Sequence, residues 1–393
     1  MKNVYVIEGA RTPFGAFGGS LKNVDVTRLG VIATEEAVRR SNIPKEDIEQ
    51  TFFGNVIHTS SNSSFLARHI SLGAGIPETS PALTVNRLCG SGLQAVVNAA
   101  QAILLDEASG AIAGGSENMS MSPHVVRDIR FNNIKMGVPH FEDMLLSTLT
   151  DQHCGLGMGI TAENLAEKYG ISREEQEDFA ILSQSRTQIA KEKGIFAEES
   201  AAVRDANGNI ILAEDEHPKS DVTVEKLRRL RPSFKKDGTV TAATSSGIND
   251  GASALVLGDD KLIETHNVTP LARIVSWGIA GVDPTIMGIG PVPSTLQALK
   301  RANLKMKDID VIEVNEAFAV QVLSVQRELG IDLEKLNVNG GAIALGHPVG
   351  ASGARLLLTL AYELKRRNKR YGLASLCIGG GQGISVIIEN VNA

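Results

Sequence analysis

The stretch that decides the fold is NRLCGSGLQAVVNAAQAILL, residues 86–105. It opens with a glycine-rich loop around Cys89 and continues as a run of helix formers that is apolar on nearly every side. Because a surface helix shows a single apolar stripe, this run predicts a helix buried between two sheets. A strand candidate follows at residues 110–113 and is predicted to end at Gly114-Gly115. The order predicts a layered α/β fold.

The last third of the chain repeats this order of parts. It contains a glycine-rich loop after residues 338–339, a predicted helix over 351–365, a strand at 374–377 and the pair Gly379-Gly380. The repetition predicts a duplicated βα unit. Strands separated by helices favour largely parallel sheets.

The middle of the chain is more polar than either end. It includes a charged helix candidate at residues 173–193 and the basic run KLRRLR at residues 226–231. We interpret it as an inserted loop domain. The predicted division is a first half at residues 1–118 completed by 250–269, an insertion at 119–249, and a second half at 270–393.

Composition narrows the class of protein. A hydrophobic fraction of 42% and a charged fraction of 21% are typical of a globular chain. The net charge of −6 gives no reason to expect nucleic acid, and three cysteines in 393 residues fit a reducing compartment. Since neither a signal peptide nor a run of about 20 apolar residues is present, a cytoplasmic enzyme without a membrane partner is the default expectation.

Three glycine-rich segments carry candidate catalytic residues. Cys89 comes just before a helix start, where backbone N–H groups favour a thiolate. His347, within GHPVG, has the chemistry to accept the thiol proton. Cys377 ends a strand, at the edge where α/β active sites gather. The alternatives are a small buried cysteine, a loop histidine with satisfied hydrogen bonds, and a core cysteine.

Two further segments suggest groups that contact a substrate oxygen. GGGQG at residues 379–383 lacks the GxGxxG spacing of a dinucleotide site and leads into a strand. Its glycines are therefore predicted to present backbone N–H groups to a ligand oxygen. Asn315 follows the predicted strand at residues 311–314 and could orient a water or donate to an oxyanion, with a helix cap as the alternative.

Together these segments resemble those of the thiolases, and the resemblance extends over the whole chain. The motifs that carry it are VIEGARTPFG (6–15), NRLCGSG (86–92), GGSENMS (114–120), NDGA (249–252), NEAFA (315–319), NGGAIALGHP (339–348), GASG (350–353) and CIGGGQG (377–383). The resemblance implies two similar βα halves stacked as α/β/α/β/α layers, with an inserted loop domain, and a coenzyme A-dependent acyltransferase. Ping-pong kinetics belong to such a two-step transfer.

The resemblance also implies a role for each catalytic candidate. Cys89 would be acylated, His347 would activate it, and Cys377 would move a proton at the α-carbon of the second acyl-CoA. Asn315 would hold a water that, with His347, binds one thioester oxygen. The N–H groups of Cys89 and Gly379 would bind the other.

The coenzyme is expected to lie against the loop domain. The positions that match the family's pantetheine and adenine sites are Met158, Phe234, Ala242, Ser246, Ala317 and Phe318. Lys219 and the basic run could meet phosphates, although a solvated surface is the commoner reason for such a run. The implied substrates are acetyl-CoA, acetoacetyl-CoA and CoA, with no permanent cofactor, no metal, and a homodimer or homotetramer.

One departure from the family pattern concerns chain length. Biosynthetic acetoacetyl-CoA thiolases typically carry His-Met-Gly where this chain has Gly157 followed by Met-Gly. The leading interpretation is an acetyl-CoA C-acetyltransferase, and the alternative is a degradative 3-ketoacyl-CoA thiolase for longer chains. A decarboxylating ketoacyl synthase would pair its cysteine with two histidines, whereas Cys377 replaces one here. A non-catalytic acyl-CoA-binding homologue is the remaining alternative.

Overall fold

The structure is a computed structural model that describes residues 2–127, 129–131 and 136–393. Its main sheet runs in the order β7-β8-β9-β6-β1-β5-β4-β2-β3. These strands are β1 Val4–Arg11, β2 Gln50–Gly54, β3 Ala82–Val85, β4 Gly110–Asn118, β5 Asn249–Asp259, β6 Ala272–Gly281, β7 Val311–Val314, β8 Tyr371–Ile378 and β9 Gln382–Glu389. Shorter strands are Gly15–Ala16, His124–Val125, Glu142–Asp143, Thr150–Asp151, Leu156–Gly157, Val203–Arg204 and Ile210–Leu212.

The longer helices alternate with these strands. They are α1 Val26–Ser41, α2 Leu66–Gly73, α3 Ser91–Leu104, α4 Met158–Tyr169, α5 Arg173–Glu192, α6 Pro291–Ala302, α7 Ala319–Leu329 and α8 Ser352–Arg367. Short helices are Met144–Thr148, Val224–Arg228, Asp260–His266 and Ala342–Leu345. Short 3₁₀ segments are Lys45–Asp47, Ser63–Phe65, Met119–Met121, Ile195–Glu198, Ala242–Thr244, Pro284–Ile289 and Met306–Asp308.

The two halves of the sheet have the same strand order, which confirms the predicted duplication. The first half runs β3-β2-β4-β5-β1 and the second runs β7-β8-β9-β6, with a parallel bridge from Ile312 to Leu336 in the place of β3. Gly54 pairs with Gly115 in the first half, and Val314 pairs with Ser375 in the second. By this register, position 55 in the first half corresponds structurally to position 315 in the second half.

The prediction of largely parallel sheets was wrong, because each half is mixed. β2 pairs in parallel with β3 and β4, and β7 pairs in parallel with β8. In contrast, β4–β5, β5–β1, β8–β9 and β9–β6 are antiparallel. The β8–β9 pair is joined by a turn at residues 379–381. In the first half the residues between Asn118 and Asn249 take the place of that turn, so the insertion enters at a hairpin.

The predicted buried helix is confirmed, and it has a partner. Helices α3 and α8 pack side by side between the two halves of the sheet, within one apolar core. Helices α1 and α2 cover the outer face of the first half. Helices α6 and α7 cover the outer face of the second half, together with α4 and α5 from the insertion. The result is the stacked α/β/α/β/α arrangement.

The expected strand end at Gly114-Gly115 was wrong. Strand β4 continues through both glycines to Asn118 and is buried along its length. A Cβ on Gly115 would lie 1.9 Å from the carbonyl oxygen of Gly350. The glycine is therefore required for close contact with the second half rather than for a turn. For the same reason Gly114-Gly115 is not the structural counterpart of Gly379-Gly380.

A buried ion pair ties the insertion to the first half. Arg11, at the end of β1, is fully buried. Its Nη1 and Nη2 donate to the two carboxylate oxygens of Asp215 at 2.7 and 2.8 Å, and its Nε donates to Glu199 at 2.6 Å. The boundaries of the insertion at 119 and 249 stay a prediction. Within the described residues, no helix combines the length and apolarity needed to cross a membrane.

Candidate active site

The candidate catalytic residues come from loops at the ends of α and β elements in both halves. Cys89 comes two residues before α3, and His347 lies five residues before the start of α8. Asn315 follows β7 directly, and Cys377 is the next-to-last residue of β8. Gly379 opens the turn that leads to β9. Cys89 interacts with Gly379 and with Cys377, and Asn315 Nδ2 lies 3.3 Å from His347 Nε2. Val349, two residues after His347, packs in one cluster with Cys89, so the two groups adjoin.

The loop around Cys89 is held in a tight, uncommon conformation. Leu88 has a φ of +46°, in the left-handed region that non-glycine residues rarely adopt. Its N–H donates to the side chain of Asn86 at 2.9 Å. Ser91 Oγ accepts from the N–H of Arg87 at 2.8 Å and donates to the carbonyl of Leu88 at 2.7 Å. These bonds fix the backbone that presents the thiol.

Opposing effects act on the Cys89 thiol. Burial raises its pKa to about 11, although the N–H groups of Gly379 and of Cys89 itself hydrogen-bond to the sulfur and lower the pKa. The nearby negative charge of Glu117 adds to the rise. The backbone N–H groups therefore favour the thiolate as predicted, but burial outweighs them. The thiol is protonated at neutral pH and needs a base to become a nucleophile.

Hydrogen bonds of the buried His347 fix which ring nitrogen carries its proton. The hydroxyl of Ser352 donates to the carbonyl of Pro348 at 3.0 Å, which uses its single proton. The oxygen of the same hydroxyl lies 2.6 Å from His347 Nδ1. Because the hydroxyl proton is already donated, the oxygen can only accept from the ring, so the hydrogen is on Nδ1. Nε2 keeps its lone pair and lies 3.3 Å from Asn315 Nδ2. This is the tautomer that a general base at Nε2 requires.

Burial also keeps His347 uncharged. Burial, together with the positive charge of Arg355, lowers the pKa of the ring to about 3. Arg355 lies one turn into α8, is fully buried, and pairs with Glu313 at 3.5 Å. The imidazole is neutral in the resting site and available to take a proton.

Asn315 and Cys377 complete the polar surface of the site. The backbone N–H of Asn315 donates to Ser375 at 2.9 Å. Its buried Oδ1 has no hydrogen-bond partner in the described part of the chain, which marks a place for a water or a ligand donor. Cys377 is buried, and burial together with the neighbouring Cys89 raises the pKa of its thiol above the usual range.

A cavity of about 390 Å³ leads to His347 from the insertion. Its lining includes Met158, Phe234, Ser246 and Phe318. The remaining lining is mostly apolar and comprises Met119, Leu146, Leu149, Thr150, Gly157, Gly159, Ile160, Ser233, Ser245, Gly247, Ile248 and Val349. Val349 also packs in one apolar cluster with Cys89. The cavity is therefore a mostly apolar binding space that adjoins the cluster containing the thiol.

The structure separates the predicted coenzyme residues into two groups. Met158, Phe234, Ser246 and Phe318 line the cavity, and the carbonyl of Ala317 accepts from Ser246 N at 2.9 Å. In contrast, Ala242 and Lys219 are exposed and do not line it. The described ranges contain no cluster of three or more His, Cys, Asp or Glu side chains able to hold a metal ion.

Two family models match nearly the whole chain. The model described as thiolase, N-terminal domain, matches residues 4–261, and the model described as thiolase, C-terminal domain, matches residues 268–390. The chain belongs to the thiolase family. This thiolase is therefore an enzyme of the acyltransferase class.

Similar proteins of this family have two kinds of name. The mitochondrial 3-ketoacyl-CoA thiolase of Homo sapiens is 49% identical over 99% of both chains. The acetyl-CoA acetyltransferase of Escherichia coli (strain K12) is 45% identical over 100% of both chains. A crystal structure of the human mitochondrial 3-ketoacyl-CoA thiolase in complex with CoA matches with a TM-score of 0.96 at 48% identity, covering 99% of this chain and 98% of that one.

Three residues of the thiolase site had no predicted role. Ser352 holds Nδ1 of His347, Asn249 accepts from the N–H of His347 at 3.1 Å, and Glu117 interacts electrostatically with Cys89. All three stand inside the motifs quoted above. Their functions could not be predicted, because each depends on a hydrogen bond or a proximity that exists only in the folded chain.

Proposed function

We propose that this thiolase transfers acyl groups between coenzyme A thioesters through an acyl-Cys89 intermediate, with acetyl-CoA C-acetyltransferase activity as one of its reactions. The observation that carries the proposal is the environment of Cys89. Two backbone N–H groups point at its sulfur, from Gly379 and from Cys89 itself, and a second thiol adjoins it. N–H groups placed in this way bind the oxyanion that forms when the sulfur attacks a thioester carbonyl.

The first half-reaction acylates Cys89. His347 Nε2 takes the thiol proton as the sulfur attacks, and the N–H groups of Cys89 and Gly379 hold the oxyanion. When the carbonyl reforms, the carbon–sulfur bond to CoA breaks. Cys377 gives its proton to the departing CoA sulfur, which leaves a thiolate at Cys377 and an imidazolium at His347.

The second half-reaction forms the carbon–carbon bond. The Cys377 thiolate removes an α-proton from acetyl-CoA, and the imidazolium with a water on Asn315 stabilises the enolate oxygen. The enolate attacks the acetyl group, the bond to Cys89 breaks, and His347 returns its proton to that sulfur. Both thiols regain protons, and the reverse sequence is thiolysis. The raised pKa of each thiol suits this order, because neither charge forms without its counter-charge.

Intact-protein mass spectrometry after brief incubation with acetyl-CoA tests the intermediate. The expected result is one acetyl group, which peptide mapping places on Cys89. An enzyme that binds acetyl-CoA and forms no adduct, with acetyl-CoA and with a medium-chain 3-ketoacyl-CoA alike, would refute the proposal. It would leave the non-catalytic binding protein as the interpretation.

A second candidate activity is thiolysis of 3-ketoacyl chains longer than acetoacetyl. The supporting observation is space at Gly157, where an added Cβ would meet nothing closer than the carbonyl oxygen of Leu149 at 3.9 Å. The cavity beside it is lined by Leu146 and Leu149. Histidine at position 157 would fill this space. We expect Gly157→His to lower the rate on a medium-chain 3-ketoacyl-CoA more than the rate on acetoacetyl-CoA, and equal losses would exclude the second activity from this cavity.

We also propose a homo-oligomer in a reducing compartment, with the cytoplasm as the expected location. Leu83 lies half-exposed on β3, the last strand of the sheet, and Phe65 and Leu105 are exposed on the same half. An edge strand with an apolar side chain favours pairing with a second chain. Light scattering coupled to size exclusion measures the mass, and a monomer at micromolar concentration would contradict the proposal.

A further inference from the structure

The nucleophile and its base belong to different halves of the fold. Cys89 precedes α3 in the first half, and His347 precedes α8 in the second. Their separation therefore depends on contacts between the halves. A displacement of about 1 Å in a reacting pair can cost about 100-fold in rate. The contacts that hold the loop at residues 347–350 against the first half therefore determine this separation and, through it, the rate of the reaction.

Glu117 makes such a contact with its carboxylate. It is fully buried near the end of β4. One oxygen accepts from Gly350 N at 3.0 Å and from Val56 N at 2.9 Å. The other accepts from Ile57 N at 3.1 Å and from Asn55 Nδ2 at 2.9 Å. The carboxylate thus joins the loop that follows His347 to a loop of the first half.

The fit between these groups leaves no space for adjustment. A Cβ on Gly350 would lie 2.6 Å from a carboxylate oxygen of Glu117. The loop at residues 55–57 is in turn bonded to the nucleophile loop, because Asn86 Nδ2 donates to Val56 O at 3.3 Å. A movement of Glu117 would therefore displace both the Cys89 loop, through residues 55–57, and the His347 loop, through Gly350.

A second acceptor holds the other end of the same loop. Asn249 begins β5 in the first half, and its Oδ1 accepts from the N–H of His347 at 3.1 Å. Its Nδ2 donates to the carbonyl of Gly15 at 2.9 Å. The two side chains hold the segment from His347 to Gly350 at its first and last residues. Of the two, only Glu117 can ionise; burial raises the pKa of its carboxyl to about 8, and the N–H groups of Ile57, Val56 and Gly350 oppose that rise.

We propose that Glu117 is a positioning residue, whose four hydrogen bonds across the two halves set the distance between Cys89 and His347. All four of its partners are N–H donors, which a carboxylate satisfies, whereas a protonated carboxyl would leave its own O–H without an acceptor. The inference rests on the proposed function, since it concerns the acylation of Cys89.

Two substitutions separate length from charge. Glu117→Gln keeps the length, removes the charge and turns an amide NH₂ toward N–H groups. Glu117→Asp keeps the charge and shortens the side chain by one methylene. A matched control is Glu163→Gln, because Glu163 is also buried and accepts backbone N–H groups, from Thr239 and Val240 at 2.9 Å. No hydrogen bond connects Glu163 to the two thiols in the described structure.

The readouts are the rate of Cys89 acetylation by acetyl-CoA, the Kd for CoA by calorimetry, and the pH midpoint of Cys89 alkylation by iodoacetamide. Glu117→Gln is expected to acetylate about 100-fold more slowly, with unchanged Kd and a midpoint at lower pH. Glu117→Asp is expected to acetylate slowly without that shift. Glu163→Gln is expected to keep the wild-type midpoint.

Each outcome has a distinct meaning. If wild-type enzyme acetylates and Glu117→Gln does so at the same rate, the inference is wrong and the proposed function stands. If wild-type enzyme forms no adduct, the proposed function fails, while the alkylation midpoint still tests the effect of the Glu117 charge. A loss of CoA binding parallel to the loss of rate would reduce Glu117 to a structural role. If Glu117→Gln does not fold, the rate and midpoint of Glu117→Asp decide.

Discussion

Replacing Ser352 with alanine tests whether the proton of His347 is fixed to one ring nitrogen. The hydroxyl of Ser352 accepts from Nδ1–H at 2.6 Å, and both residues are buried. The alanine variant leaves that N–H without a partner and without access to water. It also removes the bond that selects the tautomer with a free lone pair on Nε2. We expect Ser352→Ala to fold and to acetylate Cys89 slowly.

The size of the effect follows from the hydrogen bond that is lost. A buried donor left without an acceptor costs about 1–3 kcal/mol. The bond strengthens when His347 takes the proton of Cys89, because a charged donor makes stronger hydrogen bonds. Much of the cost therefore appears in the activation free energy, where about 1.4 kcal/mol corresponds to tenfold in rate. The expected decrease in acetylation rate is about 5- to 150-fold.

Single-turnover acetylation at saturating acetyl-CoA, followed by mass spectrometry, measures this rate directly. The matched control is Ser324→Ala, because Ser324 is a buried helical serine whose hydroxyl donates to Val320 O at 2.8 Å and contacts no histidine. A rate for Ser352→Ala within twofold of the control would refute the tautomer argument. A higher Kd for CoA with an unchanged rate would do the same.

The remaining expectations concern the two thiols, the histidine and a buried arginine. Cys89→Ala should form no acetyl-enzyme, whereas Cys377→Ala should acetylate and fail at carbon–carbon bond chemistry; equal loss of the adduct would contradict the division of roles. Burial and a nearby guanidinium lower the pKa of His347 in the folded chain to about 3. In the unfolded chain this histidine has its ordinary pKa of about 6.5, so between these two values the unfolded chain binds a proton that the folded chain does not. The free energy of unfolding should thus fall as the pH drops from about 7 to about 4, less steeply in His347→Gln, and urea titrations at each pH measure it. Arg11→Met leaves two buried carboxylates unpaired and should lower that free energy by about 3–5 kcal/mol, whereas Arg28→Met breaks only an exposed pair at 3.9 Å and should change it by less than about 1 kcal/mol.

The long apolar elements could be predicted because burial on all sides leaves a direct trace in composition. The apolar helix predicted within residues 86–105 is α3, Ser91–Leu104. The charged helix predicted at 173–193 is α5, Arg173–Glu192, which its charged composition rather than burial made recognisable. The relative directions of paired strands cannot be predicted from composition in this way. β4 and β5 pair antiparallel although the whole insertion separates them, and only their contact in the folded chain reveals it.

The same limit explains what could be predicted of the site. Cys89, His347, Asn315 and Cys377 were recognised because each stands in a glycine-rich or strand-end motif with reactive chemistry. Ser352 is a serine at a helix start, which is common for capping alone. The role of Ser352 depends on which group accepts the proton of its hydroxyl, and in the structure that group is the carbonyl of Pro348. Sequence does not contain this information.

The duplication explains why one half of the fold carries the base and the other half does not. The strand registers make Glu117 the counterpart of Cys377, and the starts of α3 and α8 make Gly350 the counterpart of Cys89. At the first-half position four N–H donors surround a carboxylate; burial raises the pKa of Glu117 to about 8, and the N–H groups of Ile57, Val56 and Gly350 oppose that rise. Burial raises the pKa of the thiol at the second-half position, with only its own backbone N–H opposing the rise, so its thiolate is a strong base once formed. The same place in the fold therefore serves as an anchor in one half, through the hydrogen bonds of Glu117, and as a proton-transfer group in the other, through Cys377.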